Sequence, residues 1–204
     1  MDHTRTDYAY NVFLSYRRCN FWPQYVRETF LPMFEHWLAT ALGDDEGKIY
    51  HDQAIETGEE WPLHLAHGLA HSKVMVCLLT RQYWTSEWCK LELSQMLARR
   101  KALTGDFGPP PLVLAVLLHD SERLHASLAS IQRFPLQDCA CPWMTPKSEK
   151  VALLSDKLKT LANDVARAVD LAPDFDPEWS RLTASEFWQL FNRRNKQESP
   201  PGLG

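Results

Sequence analysis

A chain of 204 residues, 45% hydrophobic and 24% charged, is long enough for one domain with a modest appendage and too short for a second full core. A formal charge of −4 removes any electrostatic reason to bind nucleic acid or an anionic membrane surface, and no apolar run approaches the ~20 residues that cross a bilayer. The five cysteines (Cys19, Cys77, Cys89, Cys139, Cys141) have no framework spacing and read as reduced thiols, and Met1 to Asp7 lacks the apolar core of a signal peptide, so a cytoplasmic location is expected.

The short apolar run Tyr10 to Ser15 predicts a first strand. Pro23 then opens a helix on which Tyr25, Phe30, Met33, Phe34, Trp37, Leu38 and Ala41 recur at helical spacing until Gly43. Lys48 to Tyr50 is a short second strand, followed by a polar loop from Asp52 to Glu60. Trp61, Leu65 and Leu69 mark one face of a short helix, and Val74 to Leu79 has the uninterrupted apolar pattern of a strand buried on both faces. Ser86 with Glu87 predicts a capped helix start, the helix running to about Arg100. A Gly- and Pro-rich loop, Thr104 to Pro111, leads to a central strand at Leu112 to Leu118. A short helix is expected over Glu122 to Ala129 and a weak edge strand near Asp138 to Cys141. Val151, Leu154, Leu158, Leu161, Val165 and Val169 alternate steps of three and four, an amphipathic helix of about five turns.

Strands alternating with helices predict an α/β protein: a flavodoxin-like, doubly wound, five-stranded parallel sheet of order 2-1-3-4-5, with helices on both faces. The domain is expected over residues 8–171. A C-terminal helical extension over 172–195 follows, with Phe187, Trp188, Leu190 and Phe191 in its Thr183 to Asn195 segment, and then a disordered polar tail over 196–204.

Several local signals carry little. Asp106-Phe107-Gly108 spells a kinase metal-binding triplet without the accompanying phosphate and catalytic loops. Cys139-Ala140-Cys141 has no second ligand pair, and His64, His67 and His71 share a helix face without a completing carboxylate motif; a polar helix face is the simpler reading, and no metal site is expected. One constellation has more content. In a 2-1-3-4-5 sheet the switch-point crevice lies at the carboxyl ends of strands one and three. Tyr16-Arg17-Arg18 must face the loop from Thr80 to Glu87 there, and the helix opening from that loop carries Trp88 and Glu92 four residues apart, on one face. Guanidinium for pyrophosphate, indole for stacking and a carboxylate for a developing positive charge suit a dinucleotide. A structural alternative stands beside this: Trp88 as a core residue, and Glu92 paired with Arg99 or Lys90 on a solvated face.

These residues resemble the Toll/interleukin-1 receptor (TIR) domain family. Val12 to Arg18 resembles its first box. Ile49 to Gly58 resembles its second strand and "BB" loop, with Asp52, Ile55 and Gly58 in the expected places. Leu69 to Val76 matches its helix-to-strand passage, and Tyr83-Trp84-Thr85-Ser86-Glu87-Trp88-Cys89-Lys90-Leu91-Glu92-Leu93 its tyrosine, serine, tryptophan-cysteine and glutamate-leucine signature. The blocks are collinear over about Tyr10 to Val169. In the enzymatic branch, known from plant immunity, axon degeneration and prokaryotic antiviral defence, the glutamate of this signature is catalytic and corresponds to Glu92. Phe187-Trp188 is similar to the third box of the receptors but follows the long helix instead of lying within it, and no role is carried over to it.

The resemblance implies an NAD+ glycohydrolase or cyclase, with NAD+ as substrate and no cofactor; the expected crevice geometry sets Trp88, Tyr16, Arg17 and Arg18 against that substrate, with the BB loop as lid. One carboxylate suffices, because the nicotinamide leaving group is already cationic and needs no general acid. Glu92 would stabilise the oxocarbenium-like ribose; water then gives ADP-ribose, an internal nucleophile a cyclic isomer. Absence of a fused sensor domain resembles the free-standing TIR proteins of Thoeris-type antiviral systems, whose product would act on a downstream effector. The alternatives are a noncatalytic scaffold recruiting other TIR domains and a nucleoside-transferring relative on the same sheet. Self-association is expected head-to-tail, because the BB loop carries Asp52, Glu56, Glu59 and Glu60 against no Lys or Arg; Arg99-Arg100-Lys101 is a candidate partner surface.

Overall fold

The computed structural model describes residues 7–43, 47–51, 61–103, 110–119, 131–145 and 147–198. Five strands, β1 (Tyr10–Tyr16), β2 (Ile49–His51), β3 (Ser72–Leu79), β4 (Val113–Leu117) and β5 (Arg133–Pro135), form one parallel sheet in the order β2-β1-β3-β4-β5. The helices are α1 (Trp22–Tyr25), α2 (Leu31–Leu42), α3 (Trp61–Ala70), α4 (Glu87–Ala102), α5 (Glu149–Asp170) and α6 (Pro177–Glu198). Strands β3 and β4 are apolar along almost their whole length because both faces are covered: Val74 to Leu79 and Leu112 to Val116 are buried. Five of the six residues expected to form the apolar stripe of α5 are buried (Leu154, Leu158, Leu161, Val165 and Val169). α5 lies against α2, where Trp37 Nε1 donates to Ser155 Oγ at 3.1 Å.

The expected continuous helix from Pro23 to Gly43 is interrupted by a π-turn, Val26–Phe30, between α1 and α2. Pro32 supplies the reason: with no N–H to donate to the preceding turn, it lets the hydrogen-bond register slip by a residue. Gly43 ends α2 in the left-handed conformation at φ 66°, as its position predicts. Gly68 has a different task. A Cβ there would lie 2.4 Å from the Tyr50 ring, so only glycine lets α3 lie this close to β2.

Two expectations at the far edge and the C-terminus are corrected. The edge strand is Arg133–Pro135, not Asp138 to Cys141; Leu136 N donates to Leu117 O, and Cys139 N and Ala140 N then turn back to Leu136 O. A three-residue strand ending in proline leaves no alternation to read, which is typical of an edge. The C-terminal helix starts at Pro177, six residues before Thr183, and runs through Glu198. Asp176 caps it, its Oδ1 accepting from Glu178 N at 2.9 Å, with Pro177 in the first turn. Residues 199–204, the helix expected over 122–129 and the Asp106-Phe107-Gly108 triplet lie outside the described residues.

Helix α6 packs chiefly on α3 and touches α4. Phe187 is fully buried and Trp88 lies against it, ring centroids 5.8 Å apart. His71 belongs to this packing, not to a polar face: it is buried, stacks between His67 and Phe175, and places Nδ1 2.9 Å from the Asp7 carbonyl. All five cysteines are free thiols. Among the described residues no helix is long and apolar enough to cross a membrane, and no cluster of His, Cys, Asp or Glu is placed to hold a metal ion.

Candidate functional site

Strand β1 is paired on one side with β2 and on the other with β3, Tyr16 opposite Leu78, so the chain leaves β1 at the switch point of the sheet. Along β1, Ser15 is a buried hydroxyl in an otherwise apolar row, Val12-Phe13-Leu14, and a buried hydroxyl needs a partner. It has two. Ser15 Oγ donates to Glu92 Oε2 at 2.5 Å and lies 2.8 Å from the Tyr83 hydroxyl. With the serine proton given to the carboxylate, the Tyr83 proton serves Ser15, while the Cys89 carbonyl competes for it at 3.2 Å. The result is a row of donors running from Tyr83 through Ser15 to Glu92.

Burial holds the Tyr83 phenol well above its ordinary range, reinforced by the neighbouring Cys77 and Cys89 thiols and by Glu92, so it stays neutral and remains a donor. Burial and the Glu92 charge also raise both thiols, Cys77 to about 12, which makes them inert packing residues and not nucleophiles. Arg17 works in the opposite sense on Cys89, which sets its positive charge close to the first turn of α4.

That turn is built by local rules. Thr80 leaves β3, the 3-10 turn Arg81–Thr85 buries Tyr83, and Ser86 caps α4 by accepting from Cys89 N at 3.3 Å. Glu92 sits on the second turn and is only 6% exposed, so it does not lie on a solvated face. Of the two cations that reading invoked, Lys90 pairs with Glu87, and Arg99 is buried beneath α6.

The loop Tyr16-Arg17-Arg18 is half-buried and follows directly on Ser15, at the same end of the sheet as Glu92. Trp88 stands one turn before Glu92, but its indole is engaged, edge-on to Trp61 at 4.7 Å and tilted against Phe187. Asp52, Ile55 and Gly58 lie outside the described residues. Two contributors carried no assigned role in the sequence, Ser15 and Tyr83; a polar residue inside a buried strand was the signal for the first. Thr80 is a third, with a buried Oγ1 at the carboxyl end of β3 that has no hydrogen-bond partner among the described residues.

A five-stranded doubly wound parallel sheet with a buried, oriented carboxylate at its switch point is the flavodoxin-like class of α/β protein. Within that class, the family model described as "TIR domain" matches residues 12–141, and the chain belongs to the TIR-domain family. Among solved structures, the TIR domains of the activated Roq1 resistosome, which directly recognizes the pathogen effector XopQ, are similar at 14% identity and a TM-score of 0.35. That match covers 91% of this chain and 99% of theirs. No curated protein matches.

Proposed function

We propose that this TIR domain cleaves the nicotinamide–ribose bond of NAD+, with Glu92 as the catalytic carboxylate. The observation that carries the reading is the Ser15 Oγ to Glu92 Oε2 hydrogen bond at 2.5 Å, which holds a desolvated carboxylate beside the carboxyl end of β1. A negative charge held there stabilises the oxocarbenium-like ribose as neutral nicotinamide departs, and burial makes that charge stronger than it would be in water. Arg17 and Arg18, on the loop that follows Ser15, would take the pyrophosphate, and Tyr16 and Trp88 would contact the rest of the substrate. Water captures the ribose to give ADP-ribose; an internal nucleophile gives a cyclic isomer that would signal to a downstream effector in immune or antiviral defence.

A noncatalytic scaffold recruiting other TIR domains is favoured by a different observation. Trp88 is packed between Trp61 and Phe187, and Glu92 is hydrogen-bonded within the fold, as residues of a purely structural network would be. Incubation of the full chain with NAD+, followed by mass spectrometry of the products, separates the two. Nicotinamide release that disappears in Glu92→Gln supports the enzyme; a folded wild-type chain that leaves NAD+ intact at every protein concentration supports the scaffold.

A further inference from the structure

A cavity of about 250 Å³ lies between α3, α4 and α6, close to where β3 begins. Arg99 is about 10 Å along α4 from Glu92, seven residues at ~1.5 Å each, and neither Glu92 nor Trp88, Tyr16, Arg17 or Arg18 lines this cavity. Its walls are mainly apolar: Leu69 and Met96 on the domain side, Leu182 from α6, and Ala102 at the end of α4. Set into this lining is Arg99, a cation only 7% exposed.

The bonds of Arg99 are incomplete. One terminal nitrogen donates to the Ser72 carbonyl at 3.0 Å, the other to the Tyr8 hydroxyl, and the Trp179 ring lies 3.9 Å over the guanidinium carbon. Nε is buried and has no acceptor among the described residues. Among the described residues no carboxylate is within ion-pair distance of the guanidinium; Asp176 acts on it only from further off. Burial lowers its pKa to about 10, the mark of a charge short of compensation. A buried cation with an unmade donor is costly, and an acceptor entering the cavity would relieve that cost.

We propose that this cavity is a second ligand site, taking a small monocarboxylate with an apolar body whose carboxylate pairs with the Arg99 guanidinium in its lining. A single negative charge matches the single cation in the lining, and the leucine, methionine and alanine walls take the body of the ligand. An inorganic phosphate would meet the same cation but leave its remaining oxygens against apolar walls. Trp179, Leu182 and Thr183 come from α6, so an occupied site ties that helix to α3 and α4.

The test is calorimetric titration of the full 204-residue chain with sodium octanoate, 1-octanol and inorganic phosphate, each repeated on Arg99→Gln and Ala102→Phe. Octanoate is expected to saturate one site and to bind at least tenfold more tightly than octanol or phosphate. Arg99→Gln should weaken it tenfold or more, and Ala102→Phe should block it by filling the cavity from its rim. If Arg99→Gln fails to fold, Ala102→Phe decides, because Ala102 is exposed at a helix end and tolerates a larger side chain. Absence of saturable octanoate binding, equal binding of octanol or phosphate, or undiminished binding to Ala102→Phe overturns the proposal. NAD+ cleavage is not a readout here, so this site and the Glu92 assignment stand or fall separately.

Discussion

Ser15 and Glu92 are 77 residues apart in sequence and are joined by a 2.5 Å hydrogen bond across the β1–α4 interface. The contact makes Glu92 part of the interior, with two consequences: its orientation is set before any substrate arrives, and its removal is felt by the fold as well as by the chemistry.

Substitution at Glu92 is therefore expected to separate the two roles. Glu92→Gln keeps an acceptor for Ser15 and should fold with a melting temperature near that of the wild type, while nicotinamide release falls by at least about 100-fold. Glu92→Ala leaves the buried Ser15 hydroxyl without its acceptor and should cost a further ~1–3 kcal/mol of stability. Chemical denaturation alongside nicotinamide release measures both; wild-type turnover in Glu92→Gln would refute the catalytic role.

Ser15→Ala tests the positioning of the carboxylate. Glu92 remains but loses its donor, so kcat should fall by about tenfold while KM for NAD+ changes less than twofold, as a hydrogen bond worth ~1–1.5 kcal/mol implies. A purely structural serine would lower the melting temperature and leave the kcat of the folded fraction intact.

Arg17→Ala and Arg18→Ala, made singly, should raise KM for NAD+ by about tenfold or more in at least one case, since charge-assisted hydrogen bonds to phosphate are worth ~1.5–3 kcal/mol. Arg17 is the stronger candidate, because its charge acts on Cys89, one turn from Glu92. Normal KM in both variants would mean that the pyrophosphate lies elsewhere.

Phe187 holds α6 against Trp88, so Phe187→Ala should destabilise the chain by about 3–5 kcal/mol and raise hydrogen exchange along α6 first. Trp88→Phe is expected to keep most of that packing and to weaken NAD+ binding. Trp88→Ala should do both kinds of damage. Equal binding in Trp88→Phe and wild type would assign the indole to packing alone.

Self-association is expected to be weak, salt-sensitive and head-to-tail, with cleavage per molecule rising at high protein concentration. The basic surface at the end of α4 is smaller than its sequence suggests: Arg99 is buried, Arg100 donates to the Pro110 carbonyl, and of the three only Lys101 is exposed. Lys101→Glu should shift the concentration dependence if that end of α4 receives the acidic segment 52–60. Activity independent of dilution, with a monomer by light scattering throughout, would show that the domain works alone.

Periodicity and capping are local properties, and the sequence by itself determined what depends on them: the parallel sheet, the end of α2 at Gly43, the Ser86 cap and the stripe of α5. Its motifs also singled out Glu92. Only the tertiary structure decided what surrounds these residues. The short edge strand Arg133–Pro135 has no pattern of its own and is defined by its partner β4. Arg99 reads as ordinary positive charge at a helix end until α6 lays Trp179 across it. Glu92 reads equally as a surface acid until β1 brings Ser15 beneath it. Helical spacing says which residues share a face but not what lies opposite; that is decided where chain segments far apart in sequence are packed together, and there a charge loses its water and acquires its partner.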